Sequence, residues 1–135
     1  MDMLEKQVHE YGAITRPATQ ESIDALQASL GFALSKDYCE YLTRFGIIAH
    51  EAYETYGLGV PDNSHLNVLR MFKDLSADPS YPANVVPVLE LGDGQYYLYD
   101  NCSKQVFIWA TPNGGVVREL SENLEQFLIN HIFSS

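Results

Sequence analysis

The chain has 135 residues, 46% of them hydrophobic and 19% charged, a composition that excludes extended disorder and lets one domain spanning 1–135 bury roughly two-thirds of its unfolded surface. Eight Lys and Arg against eighteen Asp and Glu give a formal net charge of −10, which disfavours direct binding to nucleic acid or an anionic membrane and favours a basic partner. Cys39 and Cys102 lie too far apart for a disulfide framework or metal knuckle; with no apolar run behind Met1 to Lys6 and no stretch near the roughly 20 apolar residues that span a bilayer, the cytoplasm is the expected location.

Leu4, Val8 and Tyr11 recur at helical spacing and Gly12 can close that turn, so a short first helix is expected. Arg16-Pro17-Ala18 separates it from a helix pair. Thr19 can cap the first of the pair, with Glu21 in its first turn; Ile23, Leu26 and Leu30 form its stripe and Gly31 ends it. Ser35 is the next cap, Tyr38, Tyr41, Leu42 and Phe45 make the second stripe, and Gly46 stops it with a positive φ. The order Leu30-Gly31, Leu34-Ser35-Lys36-Asp37-Tyr38, Tyr41-Leu42, Phe45-Gly46 resembles the start of the SMI1/KNR4 superfamily, also called SUKH. Ser35 stands where that family usually has Pro, and Phe45-Gly46-Ile47 replaces its commoner Asn-Gly-Gly. The resemblance continues through Tyr56-Gly57-Leu58-Gly59, Val85 to Asp100 and the closing helix.

Beyond Gly46, Ile47 to His50 is short and apolar enough for a strand, and Glu51 to Asn63 is irregular and aromatic, a short strand followed by a loop. Asp62, Asn63 or Ser64 is expected to cap a third principal helix carrying Leu66, Leu69 and Phe72, with Val68 and Leu75 beside them, which Asp78-Pro79 and Tyr81-Pro82 end. Val85 to Leu91 is β-branched, and Pro87 marks one of its edges as unpaired. Gly92-Asp93-Gly94 turns the chain into Gln95 to Asp100, Asn101 to Lys104 turns it into Val106 to Ala110, and Pro112 to Gly115 turns it into Val116 to Arg118. Ser121 is expected to cap a last helix with Leu124, Phe127, Leu128 and Ile132 on its stripe. The fold class is α+β: N-terminal helices, an antiparallel sheet of about four to six strands in the second half, and a C-terminal helix packed on it.

Residues with catalytic potential do not form a recognisable set. His9, His50, His65 and His131 are dispersed, Glu90, Asp93 and Asp100 read as turn and strand-end carboxylates, and neither a phosphate loop nor a nucleophile elbow is present. No catalytic residue, metal or cofactor is therefore expected, and the chain reads as a binding module rather than an enzyme.

Two features bear on what it binds. In Gln95 to Asp100, alternation puts Tyr97 and Tyr99 on one face and Tyr96 and Leu98 on the other, so the strand is either covered on both sides or presents tyrosines to a partner. Between Phe45 and Ser103 eight acids meet only Arg70 and Lys73, which reads either as a solvated face or as an acidic docking surface. On the second alternative the contact residues are Glu51, Tyr53, Glu54, Tyr56 and Asp62 on the central loop, with Asp93, Tyr97, Tyr99 and Asp100 on the sheet. The family resemblance implies a bacterial immunity protein of the toxin-antitoxin kind, which binds a cognate polymorphic or contact-dependent-inhibition toxin domain, often a basic nuclease, and blocks its active site. A regulatory or scaffolding SMI1/KNR4-like interaction domain and a small ligand-binding protein are the alternatives.

Overall fold

The computed structural model describes residues 1–133, and the helix pair is its organising feature. α1 (Asp2–Tyr11), α2 (Gln20–Leu30) and α3 (Lys36–Arg44) precede the main sheet. Thr19 accepts a hydrogen bond from the Ser22 N–H and Ser35 one from the Tyr38 N–H, as capping requires. Gly31 and Gly46 take φ of 80° and 71°, as expected of helix-ending glycines. Leu26, Tyr38, Tyr41 and Leu42 are buried, so the apolar stripes face inward.

The second half forms a four-stranded antiparallel meander of β4 (Val85–Gly92), β5 (Gln95–Asp100), β6 (Val106–Ala110) and β7 (Gly115–Glu122), in that order across the sheet. Asp93 and Gly94 have φ of 52° and 75°, the left-handed pair that lets a two-residue hairpin follow the twist of its strands. β4 is an edge strand, as Pro87 requires, although the Tyr56 N–H reaches the Val88 carbonyl from outside at 2.9 Å. A small sheet joins β1 (Ile14–Thr15), β2 (Ile48–His50) and β3 (Tyr53–Glu54). The two-residue β1 carries too short a pattern to be read without its partner.

Both faces of the meander are covered. Val86, Val88, Tyr97, Tyr99 and Val106 join the core built by α1, α2 and α3. On the other face Val85, Leu98, Phe107 and Trp109 pack with Leu75 from α4 (Val68–Leu75), and Met71 and Tyr81 lie against them.

Two helix starts differ from expectation. α4 is capped by Asn67, whose Oδ1 accepts from the Arg70 N–H at 3.1 Å, rather than by Asp62, Asn63 or Ser64. Leu66 is excluded from the helix because its carbonyl receives the Gly57 N–H while the Val68 N–H returns to the Gly57 carbonyl, both at 2.9 Å. Ser121 likewise lies in β7 with φ 57°, and α5 (Leu124–Leu128) starts from Asn123. Asn123 and Gln126 bond each other's backbone N–H in a capping box. A π-helical segment, Ile129–Phe133, continues α5.

Helix pair and sheet are joined by a buried polar knot. The Ser35 N–H donates to Asn101 Oδ1 at 2.8 Å, Ser35 Oγ lies 2.7 Å from the Tyr99 hydroxyl, and Asn101 Nδ2 donates to the Asn84 carbonyl at 2.9 Å. Ser35 has φ −66°, which proline could adopt, so Ser35→Pro tests the hydrogen bonds rather than the backbone. Losing Ser35's own three bonds, to Asn101, to the Tyr99 hydroxyl and from the Tyr38 N–H, at ~1 kcal/mol each should outweigh the ~0.4–1 kcal/mol that proline gains through the unfolded chain, for a net loss of about 2 kcal/mol. A urea midpoint unchanged from the parent would show that the knot contributes nothing.

Candidate partner-binding surface

The central loop places an acidic groove beside the small sheet. β2 turns into β3 through Glu51 and Ala52, with Glu51 at φ 54°, and His50 pairs across the hairpin with Tyr53. Pairing also sets Glu54 opposite Ala49, itself opposite Ile14, so Glu54 shares a face with the 53%-exposed Ile14. A groove of about 220 Å³ opens there between Tyr53 and Glu54 on one side and His65, Leu89 and Glu90 on the other. Glu54 Oε1 lies 3.6 Å from His65 Nε2. Tyr53, 42% exposed, is the aromatic side chain on the rim.

Tyr56 lies in the same groove but is only 4% exposed. Burial, with Glu90 nearby, raises the pKa of its phenol, so the neutral ring forms part of the wall. Buried Tyr41 holds this segment from below, its hydroxyl 2.6 Å from Thr55 Oγ1 and donating to the Tyr56 carbonyl at 2.8 Å.

The expected contact residues do not converge on one surface. Glu51, Tyr53 and Glu54 stand together on the hairpin. Asp62 instead lines a separate groove with Arg70 and Lys73. Asp93 occupies the β4–β5 turn, whereas Asp100 ends β5, about 20 Å away along an extended strand. Asp100 also has a local task, since its Oδ1 accepts from the Cys102 and Ser103 N–H groups at 2.7 and 3.3 Å. Tyr97 and Tyr99, expected as contact residues if their strand faced a partner, are instead covered. They are 9% and 0% exposed, Tyr97 against Phe127 with ring centroids at 4.8 Å and Tyr99 against Tyr38 at 5.9 Å.

Glu90 and His65 enter the groove without having been singled out for it. Pairing is irregular on both sides of Glu90, between Pro87 and Leu89 and between Glu90 and Gly92, and such bulges re-aim side chains. The proline and glycines were visible in the sequence, but the bulges follow only from the pairing with β5.

Cys39 is half-buried, and burial raises its thiol pKa, with Asp24 adding to the shift. That opposes thiolate formation. Among the described residues no group of three or more His, Cys, Asp or Glu is placed to hold a metal ion, and no helix is long and apolar enough to cross a membrane.

The fold is shared with a solved structure. A crystal structure of a protein from Pseudomonas syringae pv. tomato superposes with a TM-score of 0.81 at 14% identity, covering 100% of both chains. At that identity the likeness speaks for the fold alone. No curated protein matches the chain. The family model described as SMI1-KNR4 cell-wall, SUKH_5, matches residues 1–133. With helices leading, a four-stranded antiparallel meander following and a helix closing the chain, the protein belongs to the SMI1-KNR4 (SUKH) family.

Proposed function

We propose that the protein is an immunity protein that binds a cognate toxin domain, a basic nuclease, and obstructs its active site without catalysing a reaction itself. The family match over residues 1–133 carries this reading. The net charge of −10 supports it, because a nuclease must keep its phosphate-binding groove basic and an acidic inhibitor is drawn to that groove. The acidic groove offers a suitable contact, with Tyr53 as the anchor and Glu54 and Glu90 as the charges around it. Anchors of this kind hold the bound state and rim charges accelerate encounter.

The test is to co-express the chain with the toxin domain encoded beside its gene, then measure association and dissociation rates at two salt concentrations. Combined Glu54→Lys and Glu90→Lys should slow association by about tenfold at low salt and flatten its salt dependence, while Tyr53→Ala should mainly speed dissociation. All three side chains are at least partly exposed, so the variants should stay folded. A neighbouring toxin domain that remains fully active beside a stoichiometric amount of this protein would sink the immunity reading. Lysine variants that associate as fast as the parent at both salts would move the contact to another face.

A further inference from the structure

A second groove, on the α2–α4 side, has the opposite electrical character. It encloses about 490 Å³, more than twice the volume of the acidic groove. One wall is the face of α2 that carries Ser22, Ala25 and Ser29 above buried Leu26. The spacing sets these residues along about two turns, some 10 Å, and none of the three rim side chains is larger than serine, so the wall is low. α4 supplies the other wall through Leu69, Arg70 and Lys73, and Leu58 adds to the apolar lining.

Arg70 and Lys73 are the only bases between Phe45 and Ser103, and both point into this groove. Both are exposed, and among the described residues neither forms an ion pair. The Arg70 guanidinium donates to the Asn63 carbonyl, which holds it at the groove mouth. Among the described residues Asp62 is the one carboxylate in the lining. The first turn of α4 contains no acid, so the positive end of its dipole is not offset from within. Beyond about 8 Å the field of this acidic protein is screened at physiological salt, and in the lining itself two bases face one carboxylate.

We infer that this groove docks an acidic amphipathic helix of a partner protein. The helix would lay its apolar side chains on Leu26, Leu58 and Leu69, approach closely along the low wall of Ser22, Ala25 and Ser29, and set carboxylates against Arg70 and Lys73. Arginine suits this role because its planar fork matches a carboxylate in two parallel hydrogen bonds. The charge pattern is opposite to that of the Glu54–Glu90 groove, so the two surfaces select different segments, and either can be removed without the other.

The probe is a synthetic helical peptide of about four turns, with leucines at i, i+4 and i+7 and glutamates along one flank, beside a counterpart with every glutamate replaced by lysine. Titrated into isotope-labelled protein, the acidic peptide should shift the backbone amide resonances of Ala25, Ser29, Leu69 and Lys73 and leave those of Tyr53 and Glu54 in place. Combined Arg70→Glu and Lys73→Glu should weaken binding at least tenfold, and Arg70→Gln with Lys73→Gln somewhat less. Ala25→Trp, which fills the groove at an exposed helix position without altering charge, should also abolish the shifts. Three outcomes overturn the inference: no shift at these amides up to about 1 mM peptide, equal affinity for the two peptides, or an affinity that the glutamate and glutamine variants leave unchanged. None of them bears on toxin binding through Glu54 and Glu90.

Discussion

Gly46→Val is expected to destabilise the protein by on the order of 4 kcal/mol or more, a large share of the ~5–15 kcal/mol that holds a domain of this size together. Two effects combine. Gly46 has φ 71°, which a β-branched residue adopts only under strain. A Cβ there would also lie 1.6 Å from the Arg16 carbonyl oxygen and 2.9 Å from the Leu58 carbonyl oxygen. Those backbone atoms cannot step aside, because the Arg16 N–H is bonded to the Phe45 carbonyl at 2.7 Å and the Leu58 N–H to the Gly46 carbonyl at 3.1 Å. Gly31→Ala is the control: its φ is 80°, but none of the described residues lies within 4 Å of an added Cβ, so only the left-handed strain of about 1–2 kcal/mol applies. If urea denaturation returned similar losses for Gly46→Val and Gly31→Ala, the close approach around Arg16 would not exist in solution.

Trp109→Ala should cost about 3–5 kcal/mol, the range for emptying a fully buried aromatic site. Trp109 is 0% exposed and packs edge-on to Tyr81 with ring centroids 5.3 Å apart. Among the described residues its Nε1 has no hydrogen-bond partner, and an unpaired buried donor costs about 1–3 kcal/mol. Trp109→Phe therefore gives up packing area but also removes that penalty, and a loss below about 2 kcal/mol is expected. Circular dichroism must follow the unfolding, since Trp109 is the only tryptophan. A phenylalanine variant as unstable as the alanine variant would show that the indole N–H is bonded after all.

The acidic stretch between Phe45 and Ser103 divides once folded. Glu54 and Glu90 meet at one groove while Glu51 stays on the hairpin turn beside His50, Asp62 stands beside Arg70 in another groove, and Asp100 caps its own turn. Sequence separation hid this because the 57–67 segment lies between two grooves and sends Asp62 to one and His65 to the other. Any docking surface on this protein is thus a mosaic of small patches of opposite sign, and net charge by itself describes only the approach of a partner.

Features that depend on a few neighbouring residues were legible in the chain. The caps Thr19 and Ser35, the stops Gly31 and Gly46, the Asp93-Gly94 turn and the span Gln95 to Asp100 of β5 all lie where the residues place them, because φ preference, side-chain capping and periodicity act within about four residues. Elsewhere the outcome rested on contacts between distant segments. The α1 N-terminus has no cap of its own and takes Glu125, whose Oε2 accepts from the Leu4 N–H at 3.1 Å across 121 residues. Leu66 is withheld from α4 by its bridge to Gly57. Tyr97 and Tyr99 are buried because α3 and α5 close over their face while α4 closes over the other. A strand's alternation tells which side chains share a face, but whether that face meets water depends on which helix arrives to cover it, and that is settled only by packing the whole chain.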